Sequence, residues 1–152
     1  MNLIYQESGD LQLTRNLAQK IATLFFTSEP RLKLLILKGD LGAGKTTFAS
    51  HLASFLGVKE IVNSPTFTIL KQYKFHDLTF NHFDFYRLDY DSQDFDFIEL
   101  IKDNKGLSII EWYDNFPIAI PDEHLVIEFQ IIDQNERTIS IYSPTHQFKE
   151  IV

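Results

Sequence analysis

Apolar residues recur with two different periods in the first part of the chain. Residues 32–38 form an apolar run of strand length, and apolar residues recur at helical spacing within residues 45–56. The same helical spacing marks residues 13–27, after a short strand at residues 2–6, until Pro30 interrupts it. The pattern therefore predicts strand, helix, strand, loop and helix, in that order.

A period of two dominates the middle of the chain. Residues 66–73 alternate between apolar and polar positions and predict a strand that begins directly after Pro65. Residues 76–79 are polar enough for a hairpin connection, and residues 80–88 return as a second alternating strand. We therefore expect an antiparallel pair of strands.

The second strand of this pair has two chemically different faces. Its alternation places His82, Asp84 and Tyr86 on one face. Phe83 and Phe85 lie on the other face. We therefore predict that the phenylalanine face packs in the core and that the polar face carries chemistry. His82 and Tyr86 either take part in that chemistry or are hydrogen-bonded polar positions near the core.

The last part of the chain combines a short helix, a buried strand and a hairpin. Residues 95–101 fit the helix, and residues 107–110 form an apolar run that ends on Glu111. Residues 124–132 and 137–142 are typical of a final hairpin. Strands that alternate with helices indicate an α/β protein, and open α/β sheets bind ligands at the carboxyl ends of their strands. Glu111 therefore stands where a functional carboxylate is expected.

The segment between the second predicted strand and the second predicted helix fits the phosphate-loop pattern G-x-x-x-x-G-K-[ST]. Its residues are Gly39, Asp40, Leu41, Gly42, Ala43, Gly44, Lys45 and Thr46, followed by Thr47. Glycines allow main-chain N–H groups to converge on an anion, and the helix start adds a favourable dipole. The pattern predicts that Lys45 reaches the β- and γ-phosphates of ATP and that the Thr46 hydroxyl ligates Mg²⁺.

Two carboxylates and one hydroxyl complete the candidate chemistry. Asp84 and Glu111 are each placed to serve a magnesium ion. We favour Glu111 as the metal ligand and Asp84 as the group that holds a metal-bound water or orients the attacking water, and the reverse assignment stays open. Thr66 is a candidate for sensing the γ-phosphate.

Other residues near these carboxylates allow two interpretations each. Arg87 either counters phosphate charge or forms a surface ion pair with Asp89 or Asp91. Aromatic side chains in this region either pack in the core or are exposed to a partner protein, since aromatic residues are enriched at interfaces. These residues are Tyr86, Trp112 and Tyr113.

The composition limits the class of protein. The 152 residues are 44% hydrophobic and show no repeat, which predicts a single domain over residues 1–152. There is no cysteine, which excludes disulfides and cysteine-ligated metals. No apolar run approaches the roughly 20 residues of a membrane span, so we expect a cytoplasmic protein without a membrane partner. The net charge of -7 argues against the binding of nucleic acid through a broad basic surface.

Four segments together resemble the bacterial TsaE family. They are residues 39–47 as GDLGAGKTT, residues 64–68 as SPTFT, residues 82–88 as HFDFYRL and residues 110–112 as IEW. The resemblance extends over about residues 3–143. Members of this family are small ATPases required for the formation of N6-threonylcarbamoyladenosine at position 37 of tRNA.

The resemblance implies a P-loop α/β fold with three layers and a mixed central sheet. It also implies that Thr46 and Glu111 approach Mg²⁺ and that Asp84 is needed for the hydrolysis of ATP. Residues 7–11 and Arg137 would contact the adenine side of the nucleotide. The implied partners are other proteins of the tRNA-modifying complex, from the TsaD and TsaB families, and tRNA would be reached only through that complex.

Two further functions stay open from the residues alone. A small-molecule or nucleoside kinase would need several arginines in a closing lid, and the arginines of this chain are dispersed. A nucleotide sensor that does not hydrolyse ATP would need binding alone. A GTPase is disfavoured because residues 104–107, NKGL, do not fit the guanine-specific Asn-Lys-x-Asp pattern.

Overall fold

A seven-stranded sheet lies at the centre of the molecule, which a computed structural model describes in residues 1–88, 96–145 and 148. The strands are β1 (Asn2–Gly9), β2 (Leu34–Lys38), β3 (Leu70–Phe75), β4 (Leu78–Asp84), β5 (Leu107–Glu111), β6 (His124–Ile131) and β7 (Arg137–Ser143). The helices of the described residues are α1 (Leu11–Thr27), α2 (Lys45–Leu56) and α3 (Phe97–Asp103), with a 3₁₀ turn at Tyr113–Asn115.

The strands lie in the order β1-β7-β6-β2-β5-β4-β3. The neighbouring strands β6, β2, β5 and β4 run parallel, whereas the strands at both ends of the sheet pair antiparallel. β2 is the central strand, with β5 on one side and β6 on the other. Because parallel strands end at the same edge of a sheet, the residues that follow β2, β4 and β5 share one edge.

Helices cover both faces of the sheet. Helices α1 and α2 pack on one face, in a cluster that includes Phe25, Phe48 and Leu37. Helix α3 packs on the other face, where Phe97 lies in a second cluster with Phe83. Each face therefore has its own apolar core, which is the arrangement of a three-layer domain. This confirms the predicted three-layer α/β fold with a mixed central sheet.

The predicted strand over residues 66–73 is wrong in its first half. The Pro65 carbonyl accepts hydrogen bonds from the main-chain N–H groups of Thr68 at 3.0 Å and Ile69 at 2.8 Å, which closes a turn. Ile69 has a φ of 67°, and Phe67 is 85% exposed. Strand β3 follows directly after this turn. A turn whose residues happen to alternate between polar and apolar imitates the period of a strand.

The second strand of the pair also differs from its prediction. β4 ends at Asp84, four residues before the expected end at residue 88. Both faces of β4 are buried, with Phe83 on one face and His82 on the other, each at 0% exposure. Of the two interpretations of His82, the structure shows the polar position near the core, because His82 is buried and paired with Glu111. The polar face reaches the open edge of the sheet only at Asp84.

Several other elements agree with the pattern of the sequence. The antiparallel pairing of β3 with β4 and the final hairpin of β6 and β7 are confirmed. The short helix begins at Phe97, and the predicted residue 95 lies outside the described residues. The ion pair predicted between Arg87 and Asp89 or Asp91 also lies outside them. In the described part of the chain, no helix combines the length and the apolar character that a membrane span requires.

Candidate active site

The loop between β2 and α2 has the backbone geometry of an anion-binding nest. Gly39, Gly42 and Gly44 have φ values of 150°, 80° and 109°, which L side chains rarely adopt. A Cβ on Gly39 would lie 2.7 Å from the carbonyl oxygen of Phe129, so the base of the loop packs closely on β6. Gly44 caps α2 without a side-chain hydrogen bond. The N–H groups of the first helical turn are therefore available to a ligand.

Lys45 begins α2 and is buried beside an aromatic ring. Its Nζ donates a hydrogen bond to the Gly39 carbonyl oxygen at 2.6 Å and lies 4.2 Å from the centre of the Trp112 ring. Loss of solvent lowers the pKa of Lys45, and the charges of Glu111 and Asp84 oppose that shift. Bound phosphates would oppose it further, because they add negative charge beside the ammonium group.

Asp84 and Glu111 end two adjacent parallel strands. The register of β4 and β5 places Asp84 directly beside Glu111, and the register of β5 and β2 places Glu111 beside Leu37, close to the start of the loop. Both carboxylates are buried, at 4% and 3% exposure. Carboxylates next to an anion nest can hold a hard cation between protein oxygens and phosphate oxygens.

Asp84 is held in place by hydroxyl and main-chain donors. Its Oδ1 accepts a hydrogen bond from the N–H of Tyr86 at 2.9 Å. Its Oδ2 accepts from the Thr66 hydroxyl at 3.0 Å and from the Ser64 hydroxyl at 3.4 Å. The two hydroxyl oxygens lie 2.7 Å apart. Thr66 therefore contacts Asp84, and Ser64, which the sequence pattern does not single out as a site residue, joins the same network.

Glu111 is paired with a buried histidine. The distance between His82 Nε2 and Glu111 Oε2 is 2.6 Å, and the His82 side chain is entirely buried. Because an ionised carboxylate can only accept, Nε2 is the donor of this hydrogen bond. The other ring nitrogen, Nδ1, has no hydrogen-bond partner among the described residues. The pair fixes Oε2 of Glu111, and Glu111 also lines a cavity beside the loop.

A cavity of about 360 Å³, which we call the phosphate cavity, joins the loop to these polar residues. Its lining residues come from the loop, from the turn before β3 and from the ends of β4 and β5: Leu41, Gly42, Gly44, Lys45, Thr46, Thr47, Ser64, Thr66, Asp84, Tyr86, Glu111 and Trp112. Thr46 and Thr47 are both exposed at the start of α2. The cavity therefore brings most of the predicted phosphate, metal and catalytic residues together.

A second cavity, which we call the base cavity, has a volume of about 490 Å³ and adjoins the first at Gly42, Gly44 and Thr47. The start of α1, the loop and the β6–β7 turn supply its other lining residues: Asp10, Leu11, Thr14, Ala43, Gln134, Asn135 and Arg137. Two adjoining cavities suit an extended ligand. With phosphates in the first cavity, the second is placed for the ribose and the base of a nucleotide.

Some predicted site residues lie outside both cavities. Gly39 and Asp40 face a separate groove beside β6, so Gly39 reaches the site only through the carbonyl that binds Lys45. Within residues 7–11, Glu7 faces a groove along α1 instead. Arg137 does line the base cavity, but its guanidinium donates to main-chain carbonyls of the loop.

The donors in the phosphate cavity suit a magnesium ion. The oxygens of Thr46, Glu111 and Asp84 are hard ligands, and Mg²⁺ usually takes one or two carboxylates and completes its shell with phosphate oxygens and water. No group of three or more His, Cys, Asp or Glu side chains that could hold a metal occurs in the part of the chain that the structure describes. A nucleotide would therefore have to supply further ligands.

The aromatic residues near the site differ in exposure. Tyr86 is 48% exposed and packs edge-on against Trp112, which is only half-buried by its neighbours. Tyr113 is also half-buried, and its hydroxyl donates to a main-chain carbonyl at 2.6 Å. Larger exposed fractions occur at Leu41, with 73%, and Phe67, with 85%. Of these exposed side chains, Leu41 and Tyr86 line the phosphate cavity, and we call these two residues its apolar rim.

The fold and the site define the class of this protein. A glycine-rich loop joins a central parallel strand to a helix, a lysine begins that helix, and carboxylates end the neighbouring strands. These are the features of a P-loop nucleotide-binding α/β protein.

Comparisons with known proteins identify the family within that class. The family model for "Threonylcarbamoyl adenosine biosynthesis protein TsaE" matches residues 8–139. The chain is 38% identical over 116 residues to the tRNA threonylcarbamoyladenosine biosynthesis protein TsaE of Bacillus subtilis, covering 76% of this chain and 73% of that protein. It is 37% identical over 131 residues to the protein of the same name from Aquifex aeolicus, covering 85% and 88%. The chain therefore belongs to the TsaE family of tRNA threonylcarbamoyladenosine biosynthesis proteins, which confirms the resemblance.

A solved structure shares the fold of this chain. The crystal structure of YdiB from Bacillus subtilis superposes with a TM-score of 0.73 at 27% sequence identity. The superposition covers 99% of this chain and 94% of that one. The shared fold therefore extends over nearly the whole of both chains.

The pairing of His82 with Glu111 leads to a test of stability. We expect His82→Leu to lower the free energy of unfolding by about 3 kcal/mol or more, because it leaves a buried carboxylate without its partner. Urea unfolding measures this difference. His82→Gln is the matched control, since its amide can still donate to Glu111, and it should retain more of the stability. Equal stability of the wild type and His82→Leu would show that the pair does not contribute.

Proposed function

We propose that this chain is a magnesium-dependent ATPase that acts with partner proteins in forming N6-threonylcarbamoyladenosine in tRNA. The observation that carries the proposal is the convergence of Lys45, Asp84 and Glu111 on the phosphate cavity. A protein that only binds a nucleotide needs the loop and the lysine. The two buried carboxylates in the same cavity favour hydrolysis over the alternative of a non-hydrolysing sensor.

Transfer of a phosphoryl group to water depends mainly on position and on charge stabilisation. The N–H groups at the start of α2 bind the phosphates, and Lys45 exchanges the Gly39 carbonyl for a phosphate oxygen. Asp84, held by Thr66, orients the attacking water. Thr46 and Glu111 would hold magnesium, which would supply positive charge beside the phosphates. The water oxygen bonds to the γ-phosphorus as the bond from that phosphorus to the ADP oxygen breaks and the water releases a proton to solvent, which yields ADP and phosphate.

A kinase receives less support from the positions of the arginines. Arg15 lies over the ring of Phe55 and Arg31 over the ring of Phe25. Arg87 lies 4.7 Å from the centre of the Phe67 ring. Among the described residues, no arginine lines the phosphate cavity. A kinase that closes over a transferred phosphate needs such arginines, so water is the favoured acceptor.

A partner protein is part of the proposal for two reasons. Because the cavity lacks an arginine from the described chain, charge stabilisation at the γ-phosphate is incomplete until another chain closes the site. The apolar rim of Leu41 and Tyr86 lines this cavity and is exposed, so it is available for contact with such a chain. The net charge of -7 also disfavours direct contact with tRNA. Proteins of the TsaD and TsaB families are the proposed partners, and tRNA is reached through them.

Lys45→Ala tests the proposed activity directly. We expect a loss of ATP hydrolysis of about 100-fold or more, because a positioned charge that acts on developing negative charge contributes about 3 kcal/mol or more. Phosphate release measures the rate, and the melting temperature without nucleotide should stay close to that of the wild type. Lys59→Ala, an exposed lysine outside both cavities, is the control. Wild-type hydrolysis by Lys45→Ala would show that the loop does not serve this reaction.

Substitutions of the two carboxylates should impair different steps, one the binding of ATP with Mg²⁺ and the other its hydrolysis. Glu111→Gln keeps a partner for His82 but removes the charge on the metal side, so we expect it to lose the Mg²⁺-dependent part of ATP affinity. Asp84→Asn should bind ATP and Mg²⁺ and lose turnover. Titration calorimetry with and without Mg²⁺, combined with phosphate release, separates the two effects. If Asp84→Asn is the variant that loses Mg²⁺-dependent affinity, the two roles must be exchanged.

The dependence on partners is measured by comparing phosphate release by the isolated chain with release after TsaD-family and TsaB-family proteins are added. We expect a rise of about tenfold or more, since a supplied arginine or a closed loop adds about 10³-fold in related phosphoryl-transfer systems. The same mixture with Lys45→Ala controls for hydrolysis by the partners. Binding of labelled tRNA by the isolated chain should be weak at physiological salt. Fast turnover alone, or tight binding of tRNA without partners, contradicts this part of the proposal.

A further inference from the structure

The guanidinium of Arg137, at the start of β7, donates four hydrogen bonds to main-chain carbonyl oxygens. Two of them reach the phosphate loop, where Nε donates to Ala43 at 3.2 Å and Nη2 donates to Gly42 at 3.2 Å. Two stay within the β6–β7 turn, where Nη1 donates to Asp133 at 2.6 Å and to Glu136 at 3.1 Å. One side chain therefore connects two segments that are 94 positions apart in sequence.

The glycines at the tip of the loop have little packing of their own. A Cβ on Gly42 or Gly44 would meet no atom of the described residues within 4 Å, whereas a Cβ on Gly39 would meet Phe129. The base of the loop is therefore held by close packing on β6, but its tip stands open to the two cavities. Because glycine has wide conformational freedom, an open tip needs another restraint to keep a single shape.

The bonds from Arg137 supply such a restraint. In a trans peptide the C=O and N–H groups point in opposite directions, so a carbonyl held on one side turns the following N–H to the other side. The carbonyl of Ala43 is held in this way, and the next N–H belongs to Gly44, which lines the phosphate cavity. The bond to Ala43 therefore favours an orientation in which the Gly44 N–H faces the phosphates.

The chemistry of arginine suits this task. A planar guanidinium presents several donors in a fixed arrangement, which the single ammonium of lysine cannot reproduce. Arg137 makes no ion pair with any residue in the described ranges, so its positive charge is not neutralised by a carboxylate there. The same group can therefore both hold the loop and add attraction for a polyanion.

We propose that Arg137 is a positioning residue that holds the tip of the phosphate loop and thereby sets the affinity for the polyphosphate chain. The inference rests on the proposed binding of a nucleotide and goes beyond it. It differs from the adenine contact that the family resemblance implies for the same residue. An adenine contact affects only ligands that carry the base, whereas a positioned loop affects every ligand that carries the phosphates.

Titration calorimetry with Mg²⁺ and either ATP or inorganic tripolyphosphate, which has no base, distinguishes these roles. We expect Arg137→Lys, which keeps the charge but loses the planar fork, to weaken both ligands by the same factor of about ten. Arg31→Lys, an equivalent change outside both cavities, should retain wild-type affinity for both. Amide exchange without ligand should become faster in Arg137→Lys at Ala43, whose N–H donates to the Asp40 carbonyl oxygen at 3.0 Å, while the protection of the sheet is unchanged.

Three results would overturn the inference. The first is weaker binding of ATP with wild-type binding of tripolyphosphate, which assigns Arg137 to the base. The second is wild-type affinity of Arg137→Lys for both ligands, whatever the exchange rate at Ala43. The third is a wild-type chain that binds ATP but not tripolyphosphate. If Arg137→Lys does not fold, Arg137→Gln is measured in the same way. A wild-type chain that binds neither ligand would instead reject the proposed nucleotide binding, so the two failures are distinguishable.

Discussion

The parallel register of β2, β5 and β4 is the constraint on which the site depends. It places Leu37, Glu111 and Asp84 in one row across the sheet. Since β2 continues into the glycine-rich loop, this row brings both carboxylates beside the phosphate-binding residues. A shift of one residue in either pairing would turn a carboxylate to the opposite face of the sheet and remove it from the cavity. The main-chain hydrogen bonds between these three strands therefore set the positions of both carboxylates in the site.

The site concentrates charged groups where little solvent reaches them. Lys45, Asp84 and Glu111 are all buried, and each has its own compensation within the protein. The ammonium group of Lys45 donates to a carbonyl oxygen and lies over the Trp112 ring. Asp84 accepts hydrogen bonds from hydroxyl groups, and Glu111 accepts one from His82. Because the unfavourable desolvation is offset during folding, the two carboxylates are in position before a nucleotide arrives, and Lys45 has only to change its hydrogen-bond acceptor. Preorganised charges of this kind are more effective in catalysis than groups that must reorient.

Local patterns predicted the elements around the loop well and the middle of the chain less well. The helical period of α2 and the apolar run of β5 agree with the structure because each has a strong period of the right length. Residues 66–69 were assigned to a strand because their alternation cannot be distinguished from that of a turn closed on Pro65. Alternation leaves both interpretations of His82 open because it assigns a residue to a face and does not reveal what covers that face.

The sequence by itself determined the phosphate loop, its lysine and its hydroxyl, and it indicated the two carboxylates that accompany them. These features depend on residue type and on local backbone conformation, which neighbouring positions encode. Only the tertiary structure decided that His82 holds Glu111, that Ser64 joins Asp84, and that Arg137 spans from the hairpin to the loop. Those contacts join residues far apart in the chain, and they are set by strand order and register, which no local pattern of polar and apolar residues encodes.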